Sequence, residues 1–109
     1  MKLLLHRADE FNADFDRRYR WYLREAGEEV AERFLRAVPV TLSSLAQQPN
    51  LGLLRNFRHP LLRDLRSFHV ERPFQKTLIF YRVTDTTIEA WRLMHGARNL
   101  TRRLIESLS

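Results

Sequence analysis

The sequence predicts an α+β fold in which an antiparallel sheet packs against a hairpin of two helices. Two observations predict this fold class. Apolar residues recur at three- and four-residue steps in the first half of the chain, and β-branched and aromatic residues form three short runs in the second half. With 109 residues, 44% of them hydrophobic, the chain can form a core and is expected to be one domain spanning residues 1–109.

The N-terminal residues predict a strand followed by a helix. Lys2 to His6 is a short apolar run typical of a strand, and the helix is expected to begin near Asp9, where acidic side chains favour a helix N-terminus. Gly27 predicts the end of this helix. Its apolar stripe contains Ala8, Phe11, Phe15, Tyr19, Tyr22 and Ala26, and the residues expected outside the stripe are Asp14, Asp16, Arg17, Arg20 and Arg24.

A second helix is expected to begin at Glu28 and Glu29 and to pair with the first as a hairpin. Its apolar positions are Val30, Phe34, Ala37, Val38, Thr41 and Leu45. Because an interior proline costs about 3 kcal/mol or more, Pro39 predicts an interruption with a kink near Val38. Turn residues 47–52 end the helix, and a basic, exposed loop is expected through Arg55, Arg58, His59, Pro60 and Arg63.

Three segments then predict strands joined as an antiparallel meander. They are Leu65 to Val70, Thr77 to Val83 and Thr87 to Met94. The run from Thr77 to Tyr81 is apolar on both faces, which predicts a strand in the middle of the sheet. The spacing of Leu100, Leu104 and Leu108 predicts a short C-terminal helix that needs a surface to pack on.

Composition narrows the classes of function. The chain contains no cysteine, which excludes disulfides and thiolate chemistry, and no segment predicts export or membrane insertion, so the cytoplasm is the expected location. Residues 55–109 hold eleven basic and five acidic side chains and carry the whole net charge of +6. Only Lys2 and Lys76 are lysines, and the planar guanidinium of arginine suits carboxylate and phosphate recognition. The composition therefore favours binding of a charged macromolecule over conversion of a small-molecule substrate.

Four short motifs follow one another in a characteristic order. They are Pro49-Asn50-Leu51-Gly52, Leu65-Arg66-Ser67-Phe68, Leu78-Ile79-Phe80-Tyr81-Arg82 and Leu93-Met94-His95-Gly96-Ala97-Arg98. With the predicted strand and helical hairpin before them, they make the chain similar to the RelE/ParE toxin superfamily, and the motifs themselves resemble the ParE branch. The likeness covers nearly the whole chain.

This resemblance implies the toxin of a bacterial type II toxin–antitoxin system. Its partner would be a cognate acidic antitoxin with a segment that folds on binding. ParE-like members are associated with inhibition of DNA gyrase, whereas RelE-like members are ribosome-dependent ribonucleases that cut messenger RNA. No cofactor and no metal are implied, and no P-loop, dinucleotide fingerprint or metal-ligand cluster is found in the sequence.

A ribonuclease without a metal needs a base, an acid and cations around the reacting phosphate. The late tyrosine of the RelE-like pattern is vacant here, since no tyrosine follows Tyr81. We therefore expect an inhibitory binder with no catalytic residues, and a metal-independent endoribonuclease is the alternative. In that alternative the catalytic residues would be His95, Lys76, Arg66 and Arg98. His69 and Arg72 are further candidates. A third possibility is a non-toxic member that only binds the antitoxin and regulates the operon.

The expected partner-binding surface combines the arginine-bearing strands with the C-terminal segment. Three of these residues also have a structural alternative. Arg66 and Arg82 can pair with acids such as Asp85 or Glu89, as arginines in sheets often do, and His95 can cap a strand or bond the terminal helix. Trp21 and Trp91 could offer a stacking surface, but core positions are favoured, above all for Trp91. The expected partner-binding residues are Arg66, Arg72, Arg82, His95, Arg98, Arg102 and Arg103.

Overall fold

The computed structural model describes residues 2–96, 98–106 and 108. Its helices and strands follow the order that the sequence patterns predict, with one additional short strand. The elements are β1 (Leu4–Arg7), α1 (Asp9–Glu25), α2 (Glu28–Gln47), β2 (Leu53–Leu54), β3 (Arg66–His69), β4 (Thr77–Val83), β5 (Thr87–His95) and α3 (Leu100–Glu106).

The five strands form one sheet in the order β1-β5-β4-β3-β2. Strands β2 to β5 pair antiparallel, and β4 lies inside the sheet as predicted. The prediction of an entirely antiparallel sheet is wrong, because β1 pairs with β5 in parallel. Parallel pairing requires a long connection between the strands, and here the helical hairpin and three other strands intervene.

The helical hairpin covers one face of the sheet. Phe11 of α1, and Phe34, Val38 and Leu42 of α2, pack with Ile79 of β4 in this core and have no exposed surface. α2 is continuous from Glu28 to Gln47, so the predicted interruption at Pro39 is wrong. Proline has no backbone N–H, so the carbonyl oxygen four residues before Pro39 has no helical donor. Because Pro39 is exposed, this oxygen lies on the solvent side of the helix. The predicted kink near Val38 stays a prediction.

The opposite face of the sheet holds a second, smaller core. Leu100 and Leu104 of α3 pack with Phe80, Trp91 and Met94, which lie on β4 and β5. This contact supplies the surface that a helix of seven residues needs. Trp91 is a core residue, as expected from the sequence. Leu62, in the segment expected to be an exposed basic loop, is fully buried in the same core, as is Leu65, the first residue of the strand predicted from Leu65 to Val70.

The edge of β5 changes partner along its length. β1 pairs with β5 only as far as Ala90. At that point the register between β4 and β5 shifts, between Phe80 and Tyr81. α1 lies beside the remaining residues of β5. Asp14, expected on the outer side of α1, is instead 6% exposed. Its carboxylate accepts a hydrogen bond from the Leu93 backbone N–H at 3.0 Å. α1 therefore closes the part of the edge that β1 is too short to reach.

Across the described residues, no helix combines the length and the apolar character that a membrane crossing needs.

Candidate functional site

A groove of about 450 Å³ lies where α1, the first residue of β4, the last residues of β5 and α3 meet. We call it the cationic groove, since arginines from two helices line it on both sides. Its floor contains Thr77 and His95, which are register partners on neighbouring strands. The residues that define the cationic groove are Arg18, Trp21, Arg24, Thr77, His95 and Arg103.

His95 is held from two sides at the end of β5. Its ring Nδ1 lies 3.1 Å from Thr77 Oγ1, and its backbone oxygen accepts a hydrogen bond from Arg103 Nη2 at 3.2 Å. Burial lowers the pKa of His95, and the positive charges of Arg18, Lys76 and Arg103 lower that pKa further. The imidazole at the floor of the groove is therefore neutral near pH 7.

Arg18 and Trp21 form one wall of the cationic groove. The Arg18 guanidinium lies over the Trp21 ring, 4.9 Å from its centroid. Burial lowers the pKa of Arg18; the Tyr22 hydroxyl acts in the opposite direction, and the like charge of Arg103 lowers the pKa again. Trp21 remains 40% exposed, so it is not the core residue that the sequence favoured. The guanidinium groups of Arg18 and Arg103 thus both line the cationic groove, beside the accessible indole ring of Trp21.

Carboxylates near the groove already have cationic partners. Asp14 forms a bidentate pair with Arg92, with distances of 2.7 Å and 2.9 Å, and a weaker contact with Arg17 at 3.3 Å. The hydrogen bond to Asp14 raises the pKa of Arg92 above its ordinary value. Glu106 lies 3.1 Å from Arg102. Among the described residues, no salt bridge joins Arg18, Arg24 or Arg103 to a carboxylate.

The structure brings together part of the set predicted from the sequence. His95, Lys76 and Arg103 lie close enough for their charges to interact, and the Arg98 carbonyl accepts a hydrogen bond from Arg103 Nη1 at 3.2 Å. Arg72 lies in the turn between β3 and β4 at this same end of the sheet and is exposed. Arg102 is also exposed, on α3, in its ion pair with Glu106.

Arg66 and Arg82 lie at the other end of the sheet. Their register partners are Tyr81 and Glu89, whereas His95 pairs with Thr77. Five residues of β4 separate the two ends, a distance of roughly 17 Å. The predicted partner-binding residues therefore do not form one continuous surface around His95.

At that far end, three of the sequence motifs meet around Tyr81. Its hydroxyl donates to the Pro49 carbonyl at 2.7 Å and accepts from the Gly52 N–H at 2.9 Å, and the Gly52 carbonyl accepts from Arg66 Nη1 at 2.9 Å. Burial raises the pKa of Tyr81. We call this arrangement of Pro49, Gly52, Arg66 and Tyr81 the tyrosine clamp. It gives Arg66 a structural partner within the fold.

Arg82 packs over Trp91, with 5.3 Å between its guanidinium carbon and the ring centroid. It also donates hydrogen bonds to the carbonyls of Leu61 and Arg63. Within the described part of the chain it forms no salt bridge with Asp85 or Glu89, the acids that the sequence offered as partners. Arg82 thus ties the loop before β3 to the sheet.

Chemically, the cationic groove can bind an anion and can present a neutral imidazole to it. No group of three or more histidine, aspartate or glutamate side chains that could hold a metal ion is found in the residues described. Sequence reasoning did not select Arg18, Arg24 or Thr77. A signal was available for two of them, because Arg17, Arg18, Arg20 and Arg24 surround Trp21 on one helix.

Comparison with known proteins decides the family. A family model described as the ParE toxin of the type II toxin–antitoxin system parDE matches residues 5–100. The chain belongs to the ParE toxin family. The match runs from the second residue of β1 to the first residue of α3, so it includes both long helices and the tyrosine clamp.

Solved structures share the fold of this ParE-family chain. The chromosomal ParDE toxin–antitoxin system from P. aeruginosa matches with a TM-score of 0.71 and 23% identity, covering 88% of this chain and 98% of that one. The RelBE2 toxin–antitoxin complex from Mycobacterium tuberculosis matches with a TM-score of 0.59 and 15% identity, covering 87% and 99%. The E. coli DinJ–YafQ toxin–antitoxin complex matches at 0.57 and 12%, covering 92% and 99%. No curated protein sequence matches significantly.

Proposed function

We propose that this toxin of the ParE family inhibits DNA gyrase by binding it, in the cytoplasm, and that a cognate acidic antitoxin neutralises it. The observation that carries the proposal is the family match over residues 5–100, because ParE-like toxins are associated with gyrase. The vacant late tyrosine position supports inhibition by binding rather than RNA cleavage.

The surface supports an antitoxin partner in two ways. β1 and β2 are the two edge strands of the sheet, and they carry exposed leucines: Leu4 is 72% exposed and Leu53 is 64% exposed. Edge strands with exposed apolar side chains can pair with an extended segment of another chain. The net charge of +6 favours an acidic segment. The similar solved structures from M. tuberculosis and E. coli are toxin–antitoxin complexes.

A gyrase supercoiling assay with the purified protein tests the proposed target. We expect loss of supercoiling together with accumulation of linear DNA linked to protein, and addition of the antitoxin should abolish both effects. Arg98→Glu combined with Arg102→Glu changes two exposed arginines of the expected contact segment and should weaken inhibition about 10-fold or more.

The matched control for that variant is Arg33→Glu combined with Arg36→Glu on the exposed side of α2, which makes the same change in net charge. If gyrase is unaffected at toxin concentrations well above those of the enzyme, gyrase is not the target. If both double variants lose activity equally while remaining folded, the effect is one of net charge and the contact segment is wrong.

The alternative function is ribosome-dependent cleavage of messenger RNA. One observation favours it: the neutral His95 imidazole lies among the positive charges of Arg18, Lys76 and Arg103. Mapping transcript ends after induction would reveal cuts at preferred codons, and His95→Ala should then remove them. Expression without growth arrest, and without either biochemical activity, would instead identify a member that only binds its antitoxin and regulates the operon.

A further inference from the structure

We propose that the cationic groove binds the phosphate backbone of single-stranded nucleic acid, with Trp21 as the stacking surface for a base. This proposal goes beyond gyrase inhibition, because it requires neither gyrase nor the antitoxin. It depends on the uncompensated charges, the spacing and the aromatic surface of the groove.

The first argument is the charge of the groove. Six arginines line it. Three of them pair with carboxylates, and three have no salt bridge among the described residues: the first set is Arg17, Arg20 and Arg92, and the second is Arg18, Arg24 and Arg103. The guanidinium of Arg18 is partly buried near Arg103, and the structure describes no carboxylate paired with either side chain. Like charges held together in this way repel each other, and a bound polyanion relieves the repulsion.

The second argument is the spacing of the charges. Arg17, Arg20 and Arg24 line the groove at three- and four-residue intervals on α1. The seven residues from Arg17 to Arg24 span about 10 Å along the helix axis. That length is enough to span two neighbouring phosphates of an extended single strand. A row of guanidinium groups with this repeat can contact consecutive phosphates.

The third argument is Trp21, because its exposed ring favours a nucleic acid over an acidic peptide as the ligand. Arg18 lies over the indole of Trp21, yet 40% of the residue is exposed in the midst of the arginines. An acidic peptide uses the charges and gains little from an aromatic ring. A single-stranded nucleic acid uses both, because every unpaired base can stack on an aromatic side chain while the backbone contacts cations.

Fluorescence anisotropy with a fluorescein-labelled twelve-nucleotide oligo(dT) tests the site in the full-length protein. The charge variant is Arg18→Gln combined with Arg24→Gln, for which we expect affinity to fall about 10-fold at low salt. The dependence of log affinity on log salt concentration should also become shallower, by about 0.7 for each phosphate that the variant no longer neutralises. The matched control, Arg33→Gln combined with Arg36→Gln, removes two exposed charges from α2 and should change affinity less than about 2-fold.

Trp21→Ala tests stacking independently of charge. It should weaken oligo(dT) binding about 5-fold or more while leaving the salt dependence unchanged, and because Trp21 is partly exposed the variant is expected to fold. Circular dichroism checks the fold of every variant. Equal losses in the two arginine variants, or no loss in Trp21→Ala, would overturn the proposal. So would a labelled twelve-residue polyglutamate peptide that binds as tightly as the oligonucleotide, since the groove would then be a site for an acidic protein.

Discussion

The Asp14 carboxylate joins α1 to the edge of β5 that β1 leaves open. It pairs with Arg92, whose side chain is 16% exposed, and it accepts the Leu93 N–H. We expect Asp14→Ala to lower the free energy of unfolding by about 3–5 kcal/mol, because it leaves the Arg92 charge partly buried without its carboxylate. Chemical denaturation followed by circular dichroism measures this loss.

Asp16→Ala is the matched control on the same helix. Asp16 pairs with Arg20 at 3.2 Å, but both side chains are more than half exposed. An exposed ion pair contributes little, so the loss should stay below about 1 kcal/mol. Similar losses in the two variants would show that the buried network does not hold α1 on the sheet.

His95 should make stability depend on pH. Its pKa in the folded protein is below the ordinary value of 6.5, because burial and three neighbouring cations disfavour the charged ring. The unfolded chain therefore takes up the proton first as the pH falls. The contribution of His95 to stability is full above pH 6.5 and is lost as the pH falls from there towards the lower pKa of the folded state.

Denaturation of the wild type and of His95→Asn at a series of pH values measures this contribution. We expect the wild type to lose more stability than the variant between about pH 7 and pH 5. Comparison at about pH 8, where the histidine is neutral in both states, gives the cost of the substitution itself. Parallel pH curves for the two proteins would contradict the lowered pKa.

The tyrosine clamp holds the turn before β2 against β3 and β4. A Cβ atom added at Gly52 would lie 2.7 Å from Tyr81 Cε1, and Tyr81 is fully buried. We expect Gly52→Ala to cost about 2–4 kcal/mol, through overpacking and through displacement of the Tyr81 hydroxyl from its two backbone partners. Thermal or chemical unfolding measures the loss.

Leu51→Ala is the control in the same turn. Leu51 is 45% exposed, so its truncation should cost roughly 0.5 kcal/mol or less. A Gly52→Ala protein as stable as the wild type would mean that Tyr81 can move aside, and that the glycine of the motif is not required by the clamp.

At the scale of the whole molecule, the net charge of each half of the sequence is a poor guide to the electrostatic field in the cationic groove. Residues 1–54 have zero net charge, yet α1 supplies Arg18 and Arg24 to the cationic groove. Folding explains the difference, because Asp14 is paired with Arg92 of the distant second half. The groove thus combines cations from both halves of the chain. The excess positive charge of residues 55–109 accounts for only part of the charge of the groove.

The fold was largely predictable because helix and strand periodicities are local. The 3.6-residue repeat predicts both helices of the hairpin, and β4 matches its predicted bounds, Thr77–Val83. The direction of β1 was predicted wrongly, and the two-residue strand β2 was not predicted. Neither depends on periodicity: a strand of two residues is too short for any repeat, and the pairing of Leu4 with Thr87 joins residues far apart in the chain.

The candidate site was predictable only in part, through His95 and the arginines of the segment that follows it. Local patterns in the chain were sufficient for the fold class, the order of the elements, the family resemblance and the excess of arginine. Three features emerge only once the chain is folded: Asp14 is buried, Arg66 belongs to the tyrosine clamp, and α1 and α3 enclose His95. The physical reason is that these contacts depend on which face each element turns to its neighbours, and that is fixed by packing of the whole chain.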